Sequence, residues 1–215
     1  SAWNPLAGNF TDADFYQDVT DGKTTFEEAY SEPLEKITKL NDYSQGDVFS
    51  YNYNNATVGF ANGESVMYMQ GNWAIPMIMQ TNPDMNLDMF PFPALDNAED
   101  NKLCSSIDLM FSITKKSKHK EESIRFLNFL TEQENVSSYM EDQFGIPAID
   151  CDYEFPEQLD GILDDFKNGK IVSSPQAYYP SEMKLPIAVQ TYMIDGDKDK
   201  FFKQLDDTWK EAHEE

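Results

Sequence analysis

Residues 60–73 of the 215-residue chain read FANGESVMYMQGNW, and this stretch determines the path of the chain on both sides of it. The helical pattern of Asn54–Ala61 stops at the Asn-Gly pair, because glycine adopts the left-handed conformation that ends many helices. Ser65–Gln70 alternates between polar and apolar residues and predicts a strand. A Gly-Asn turn follows, and Trp73 begins a second helical pattern with Pro76 in its early turn, where proline is tolerated. The stretch therefore predicts a helix, a strand and a helix in succession.

The sequence after this stretch predicts further strands at Leu87–Phe92 and at Leu109–Thr114. The second is apolar almost throughout, which is typical of a strand buried on both faces. Apolar residues at spacings of three and four predict amphipathic helices at Thr25–Leu40, Glu121–Leu130, Glu132–Met140, Phe155–Lys167, Ile187–Ile194 and a last helix through Phe202, Leu205, Trp209 and Ala212. Strands that alternate with helices predict an α/β or α+β domain.

The first of these helices carries two local signals. Thr25 and Glu28 form a capping-box pattern at its start. Pro33 lacks an N–H group and clashes with the preceding turn, so we expect it to kink or divide the helix.

The charge balance disfavours two classes of partner. The chain has 16 Lys and Arg residues against 39 Asp and Glu residues, which gives a net charge of −23. Such a field repels phosphates and anionic head groups, so the sequence predicts no nucleic-acid partner and no binding to a membrane surface. The longest apolar run, Trp73–Met79, is far shorter than the ~20 residues of a membrane-spanning helix. Aromatic residues make up 13% of the chain, which is too many for a disordered protein.

Sequence motifs of catalytic chemistry are missing. The two histidines, His119 and His213, lie among charged residues, and neither resembles a general base or a metal ligand. The zinc motif H-E-x-x-H, the redox pair C-x-x-C and the nucleophile motif G-x-S-x-G do not occur. A carboxylate pair for glycoside hydrolysis is neither indicated nor excluded in a chain with so many acidic residues. The sequence therefore predicts no catalytic residue, no metal and no cofactor.

The stretch at residues 60–73 resembles the signature F-x-x-G-x-x-A-M-x-x-x-G-x-W. This signature belongs to the C-terminal half of the maltose-binding-protein-like, extracellular sugar-binding proteins of ABC importers. One position departs from it, since Val66 stands where the family has Ala. Further segments, from Leu87–Phe92 to the terminal helix, follow in the family's order, so the resemblance covers about residues 26–213.

The resemblance implies an α/β fold, a periplasmic-binding-protein-like (type II) lobe that forms the C-terminal half of a two-lobe protein with part of the first lobe. Residues 1–105 are then a second-lobe segment, and residues 106–151 are a crossover segment that contributes to the first lobe. Residues 152–215 are the second-lobe return and the C-terminal helices. Family members are much longer, so we expect a fragment that carries half the cleft and lacks the N-terminal lobe.

The resemblance also implies a function without catalysis. We expect the solute-binding component of an ABC importer, which binds a carbohydrate, an oligosaccharide above all, in an interlobe cleft and delivers it to membrane permease subunits. Such proteins are extracellular, either as lipoproteins on the outer face of the cytoplasmic membrane or in the periplasm. Three alternatives stay open: a secreted carbohydrate-active enzyme domain, a binding protein for a peptide, polyamine or metal, and an interaction domain without a small ligand.

The ligand-binding residues implied by the resemblance lie in three places along the chain. Trp73 is expected to stack on the C–H face of a sugar, and Asn72 either offers its amide to a hydroxyl or only forms the turn. Asp108 either accepts hydrogen bonds from two hydroxyls or caps a strand edge. Tyr178 and Tyr179 lie in a proline-bracketed loop and either contact the ligand or pack against the protein.

The two cysteines, Cys104 and Cys151, are compatible with one disulfide or with two buried thiols. The resemblance puts both close to the inferred crossovers between the lobes. A disulfide between them is therefore a hypothesis.

Overall fold

The computed structural model describes residues 2–44, 46 and 49–213. These residues form ten α-helices and two short strands. In chain order they are α1 (Trp3–Asn9), α2 (Phe15–Thr20), α3 (Phe26–Asn41), α4 (Tyr53–Ala61), α5 (Ile75–Thr81), β1 (Leu103–Cys104), α6 (Lys120–Leu130), α7 (Gln133–Gln143), α8 (Asp160–Lys167), β2 (Ile171–Val172), α9 (Leu185–Asp195) and α10 (Lys198–His213).

The chain divides into two compact units. Unit 1 consists of Ser1–Val48, Pro91–Ser106 and Lys170–Glu215, and unit 2 consists of Phe49–Phe90 and Ile107–Gly169. The assignment of three sequence segments to two lobes stays a prediction.

The predicted helices are confirmed, with one shifted boundary. Helix α8 begins at Asp160 rather than at Phe155. Phe155 precedes Pro156, and a residue before proline avoids the helical conformation. In the part of the chain that the structure describes, no helix is both long and apolar enough to cross a membrane.

Helix α3 shows how local sequence signals fix a helix. The Thr25 hydroxyl accepts a hydrogen bond from the Glu28 backbone N–H at 3.2 Å, and the Glu28 carboxylate accepts one from the Thr25 N–H at 3.2 Å. The predicted capping box is therefore confirmed. The helix continues without a break through Pro33, which is buried, so Pro33 does not divide it. Burial of this face against the rest of unit 1 offsets the lost backbone hydrogen bond.

The core of unit 1 is an aromatic cluster shared by the first three helices and the last two. Trp3 packs edge-on against Tyr30 and Phe201, at ring-centroid distances of 5.2 and 5.7 Å. The buried members of this core include Phe15, Tyr16, Phe26, Leu34, Phe202, Leu205 and Trp209. Edge-to-face packing of this kind adds to the stability gained from burying the rings.

The sheet is much smaller than the sequence predicted. β1 and β2 are parallel and two residues long each, with Leu103 opposite Ile171 and Cys104 opposite Val172. The structure is therefore rich in helix, and the alternation expected of an α/β lobe is not confirmed.

The three strands predicted at Ser65–Gln70, Leu87–Phe92 and Leu109–Thr114 are wrong, because all three segments are irregular. A strand needs a neighbour that pairs with its backbone N–H and C=O groups, and no described residue pairs with these segments in a ladder. Leu109–Thr114 is also not buried on both faces, since the Met110 side chain is 81% exposed.

Unit 2 has a small core of its own and a large exposed apolar surface. This core consists of Phe60 and Ala61 of α4, Ala74 in the turn before α5, and Ile78 of α5. Helix α6 has its predicted apolar stripe but buries no residue. The exposed apolar side chains of its region are Ile107, Leu109, Met110, Phe111, Ile124, Phe126 and Phe129.

We expect Leu205→Ala to lower the free energy of unfolding by about 2–5 kcal/mol, because Leu205 is fully buried and its truncation leaves a cavity. Urea denaturation followed by circular dichroism measures this change. The control is Ile194→Ala, also in unit 1, whose side chain is 70% exposed and whose truncation should change stability by less than ~0.5 kcal/mol. Equal effects of the two substitutions would contradict the described core.

Candidate functional site

Trp73 lies at the turn that leads into α5. Asn72–Ala74 form a single 3₁₀ turn, and α5 follows at once with Pro76 near its start. Ala74 and Ile75 are buried, whereas the Trp73 side chain is 57% exposed. The two buried residues anchor the turn, so the indole is held at the surface on a fixed backbone.

The orientation of the indole is set by its two neighbours. The Trp73 Nε1–H donates a hydrogen bond to Gln70 Oε1 at 3.1 Å. The six-membered ring folds back over Gly71, and a Cβ atom at that position would overlap ring atoms. Only glycine leaves the space that this ring position requires.

Asn72 connects the turn to the end of α7. Its Nδ2 donates a hydrogen bond to the backbone carbonyl oxygen of Phe144 at 2.8 Å. Phe144 has φ 51° and ψ 41°, in the left-handed region, and it ends α7. The amide N–H of Asn72 therefore fixes two segments of unit 2 relative to each other.

An open concavity of about 650 Å³ lies beside the indole, within unit 2. We call it the Trp73 concavity. It is lined by Tyr53, Trp73, Pro76, Met77, Gln80 and residues 141–144. The Tyr53 hydroxyl donates to the Trp73 carbonyl oxygen at 3.5 Å, so the start of α4 also reaches this place. The concavity combines apolar rings with exposed amide and carboxylate groups, which is the composition of a site for a small polar ligand.

Asp108 and Tyr178 do not line the Trp73 concavity. Asp108 is exposed in an irregular segment of unit 2. Tyr178 belongs to unit 1 and is 41% exposed. Its ring stacks on the buried ring of Tyr16, with the centroids 4.4 Å apart and the planes 12° from parallel.

Tyr179 is packed against the protein through its hydroxyl. The Tyr179 and Tyr30 hydroxyl oxygens are 2.7 Å apart, and the Trp3 indole N–H donates to the Tyr179 hydroxyl at 3.4 Å. Burial raises the pKa of Tyr179 well above its usual value. A neutral hydroxyl in a hydrogen-bonded cluster stabilises the core of unit 1.

Sequence analysis missed several residues that line the Trp73 concavity. Tyr53 and Gln80 lie on helices whose patterns predict only a core-facing stripe, and Glu141–Gln143 form the polar end of α7. The segment at residues 144–148, which includes Phe144, resembles the family's G-x-p-a segment and is the signal in the sequence that lies nearest to the end of α7. These helices come together through tertiary packing, and the spacing of apolar residues along each helix does not predict which helices are neighbours.

Neither histidine lines this concavity. His119 is exposed immediately before α6, and the His213 ring stacks on Trp209 at a centroid distance of 4.2 Å. Over residues 2–44, 46 and 49–213, no group of three or more His, Cys, Asp and Glu side chains is arranged to hold a metal.

Both cysteines are half-buried free thiols in the structure. Cys104 lies in β1 and Cys151 in the loop after α7. Burial raises the pKa of the Cys104 thiol to about 11. The disulfide is not formed in this structure, and its formation under oxidising conditions stays a prediction.

Comparison with known proteins identifies two matches. The model of a family described as bacterial extracellular solute-binding protein matches residues 2–151. The multiple sugar-binding protein of Streptococcus mutans serotype c is 33% identical over 87 residues. That match covers 40% of this chain and 20% of the relative, so it spans one fifth of the relative's length.

We expect Gly71→Ala to displace the Trp73 indole, because the added Cβ overlaps its six-membered ring. The ring then loses its contact with Gln70 and becomes more accessible to water. Acrylamide quenching of tryptophan fluorescence measures this, since Trp3 and Trp209 are only 6% and 5% exposed. Quenching should increase, while the unfolding free energy changes by less than ~0.5 kcal/mol, as is usual at a surface.

The control for this experiment is the same substitution in a Trp73→Phe background. The remaining fluorescence then comes from the buried Trp3 and Trp209, and Gly71→Ala should leave its quenching unchanged. An unchanged quenching constant in the wild-type background would show that the ring does not lie over Gly71.

We expect the Cys104 thiol to react slowly with Ellman's reagent at neutral pH, because the thiolate is the reactive form and the pKa is about 11. In a Cys151→Ser variant, the labelling rate should rise about tenfold per pH unit toward that pKa. The Cys104→Ser variant gives the behaviour of Cys151 for comparison. Labelling of Cys104 that levels off near neutral pH would contradict this expectation. In the wild-type chain, labelling of the two cysteines only after reduction would reveal the disulfide.

Proposed function

Since the chain belongs to the bacterial extracellular solute-binding protein family, we propose that it is the carbohydrate-binding component of an ABC importer. Membership supports binding rather than catalysis, and an extracellular or periplasmic location. The similarity to a multiple sugar-binding protein supports a carbohydrate, above all an oligosaccharide, as the ligand. Attachment to the membrane as a lipoprotein and delivery to permease subunits belong to the same proposal.

The observation that carries the proposal is the exposed indole of Trp73 at the edge of an open concavity. One ring face lies on Gly71, and the N–H is bonded to Gln70, so the ring loses little further freedom when a ligand covers it. The axial C–H groups of a pyranose form an apolar face that fits such a ring, while its hydroxyls bind polar groups at the rim. Gln80 and Gln143 offer amides for those hydroxyls.

We assign different roles to the predicted site residues. Trp73 contacts the ligand directly. Asn72 and Tyr179 act as positioning residues, because their polar groups already bond to Phe144 and Tyr30. Asp108 and Tyr178 are exposed and are proposed as ligand contacts in a closed form of the protein.

We also propose that further chain of the same protein, an N-terminal lobe, covers the exposed apolar surface of unit 2. Phe111, Phe126 and Phe129 are each at least half exposed. An exposed apolar patch of this kind marks a surface that another protein segment covers.

In two-lobe binding proteins the ligand stabilises a closed state through contacts made only there, and the permease binds that state.

We expect this chain to bind at least one neutral oligosaccharide saturably in isothermal titration calorimetry. Trp73→Ala should weaken that binding by at least about 30-fold, because a central aromatic contact contributes ~2 kcal/mol or more. Phe90→Ala is the matched control, since Phe90 is 62% exposed in the same unit and does not line the concavity. It should leave the affinity unchanged.

Three results would contradict the proposal. One is carbohydrate binding that survives Trp73→Ala. Another is saturable binding of a peptide, polyamine or metal with no response to any oligosaccharide. The third is hydrolysis of the titrated glycan, which would indicate an enzyme.

A further inference from the structure

The charged groups at the Trp73 concavity all have one sign. Glu141 and Asp142 line it, and both are exposed. Among the described residues, no Lys, Arg or His lines the concavity. A ligand that enters it therefore meets carboxylates with no compensating cation in the wall.

The end of α7 adds to this field. The helix is 11 residues long and ends at Gln143 beside the concavity. The carbonyl groups at a helix C-terminus carry a partial negative charge, which attracts cations within the last turn. Asn72 donates to the Phe144 carbonyl and holds this helix end next to the indole.

The aromatic residues favour the same kind of ligand. Trp73 and Tyr53 are exposed to 57% and 39%, and both line the concavity. The face of an aromatic ring is electron-rich and attracts an ammonium group, most strongly for tryptophan. The carboxylates, the helix C-terminus and the ring faces thus all favour a positively charged ligand group.

We propose that the Trp73 concavity prefers a carbohydrate that carries a free amine, such as a hexosamine unit, over its neutral analogue, and rejects uronic acids. This inference rests on the proposed function. The C–H face of the sugar stacks on Trp73, and the protonated amine donates hydrogen bonds to Glu141 or Asp142. An anionic sugar brings its carboxylate against these two groups and has no basic residue to pair with.

The expected preference is moderate, because the carboxylates are exposed to water and salt. An exposed ion pair and an exposed cation–π contact each contribute little alone. Together we expect about tenfold tighter binding of the amino oligosaccharide at low salt. The preference should diminish at high ionic strength, because salt screens exposed charges.

The test is calorimetry with three β-1,4-linked tetramers that share one backbone: glucose, glucosamine and glucuronic acid. The buffer is mildly acidic, so that the amine is protonated. We expect glucosamine to bind about tenfold more tightly than glucose, and glucuronic acid to give no saturable binding. The Glu141→Gln/Asp142→Asn double variant should lose most of this preference and keep only the small part that comes from the aromatic rings and the end of α7.

A matched double variant separates this local effect from the charge of the whole chain. Glu132→Gln/Glu134→Gln removes the same number of charges from exposed residues at the other end of α7, outside the concavity. It should keep the preference for glucosamine. Each double variant reduces the net charge only from −23 to −21, so a preference that persists to the same extent in both would overturn the local site in favour of the general field.

The outcomes also distinguish this inference from the proposed function. Equal affinity of the wild-type chain for glucose and glucosamine tetramers, or saturable binding of the glucuronic acid tetramer, would overturn the inference and leave carbohydrate binding intact. Failure of every oligosaccharide to bind, including the neutral oligosaccharides titrated to test the proposed function, would overturn the proposed function and the inference with it.

Discussion

The missing side chain at Gly71 is the constraint on which the geometry of the candidate site depends. It lets the Trp73 indole fold back onto the backbone, where Gln70 accepts its N–H. Behind the turn, Ala74 and Ile75 are buried and hold the backbone still. A large aromatic ring at a surface is usually mobile, and here three local features fix it before any ligand arrives.

A single side-chain hydrogen bond then connects this ring to the polar part of the site. Asn72 and Phe144 are 72 positions apart in the sequence, and their 2.8 Å bond brings the end of α7 beside the start of α5. Phe144 ends α7 in the left-handed conformation, and Glu141 and Asp142 in the last turn of this helix line the concavity. The aromatic and acidic components of the site thus come from separate segments that one amide holds together.

Local signals in the sequence predicted local structure well. The capping box at Thr25 and the apolar spacing of α10 each depend on residues within a few positions, and both are present. The strand predictions were wrong because strand pairing depends on distant residues. Leu109–Thr114 has the composition of a buried strand, but among the described residues no strand lies beside it. Pro33 does not divide α3, because tertiary burial of this helix face outweighs the local penalty of the proline.

The same distinction applies to the site. The sequence predicts Trp73 as a ligand contact because the residue lies in the family signature. In the structure its side chain is exposed beside a concavity. Tyr53 and Glu141 were missed because nothing near them in the sequence refers to Trp73. Contacts between segments so far apart in the sequence depend on tertiary packing, and the spacing of residues in one sequence does not predict them.

The core of unit 1 has a consequence for how the chain is made. Helices α1 and α3 carry Trp3 and Phe26, whose rings pack against Phe201 and Trp209 of α10, about 180 positions or more later in the sequence. During synthesis, the rings of Trp3 and Phe26 therefore lack these contacts until α10 has been made. Long-range contacts of this kind fold slowly and leave apolar surface open to aggregation.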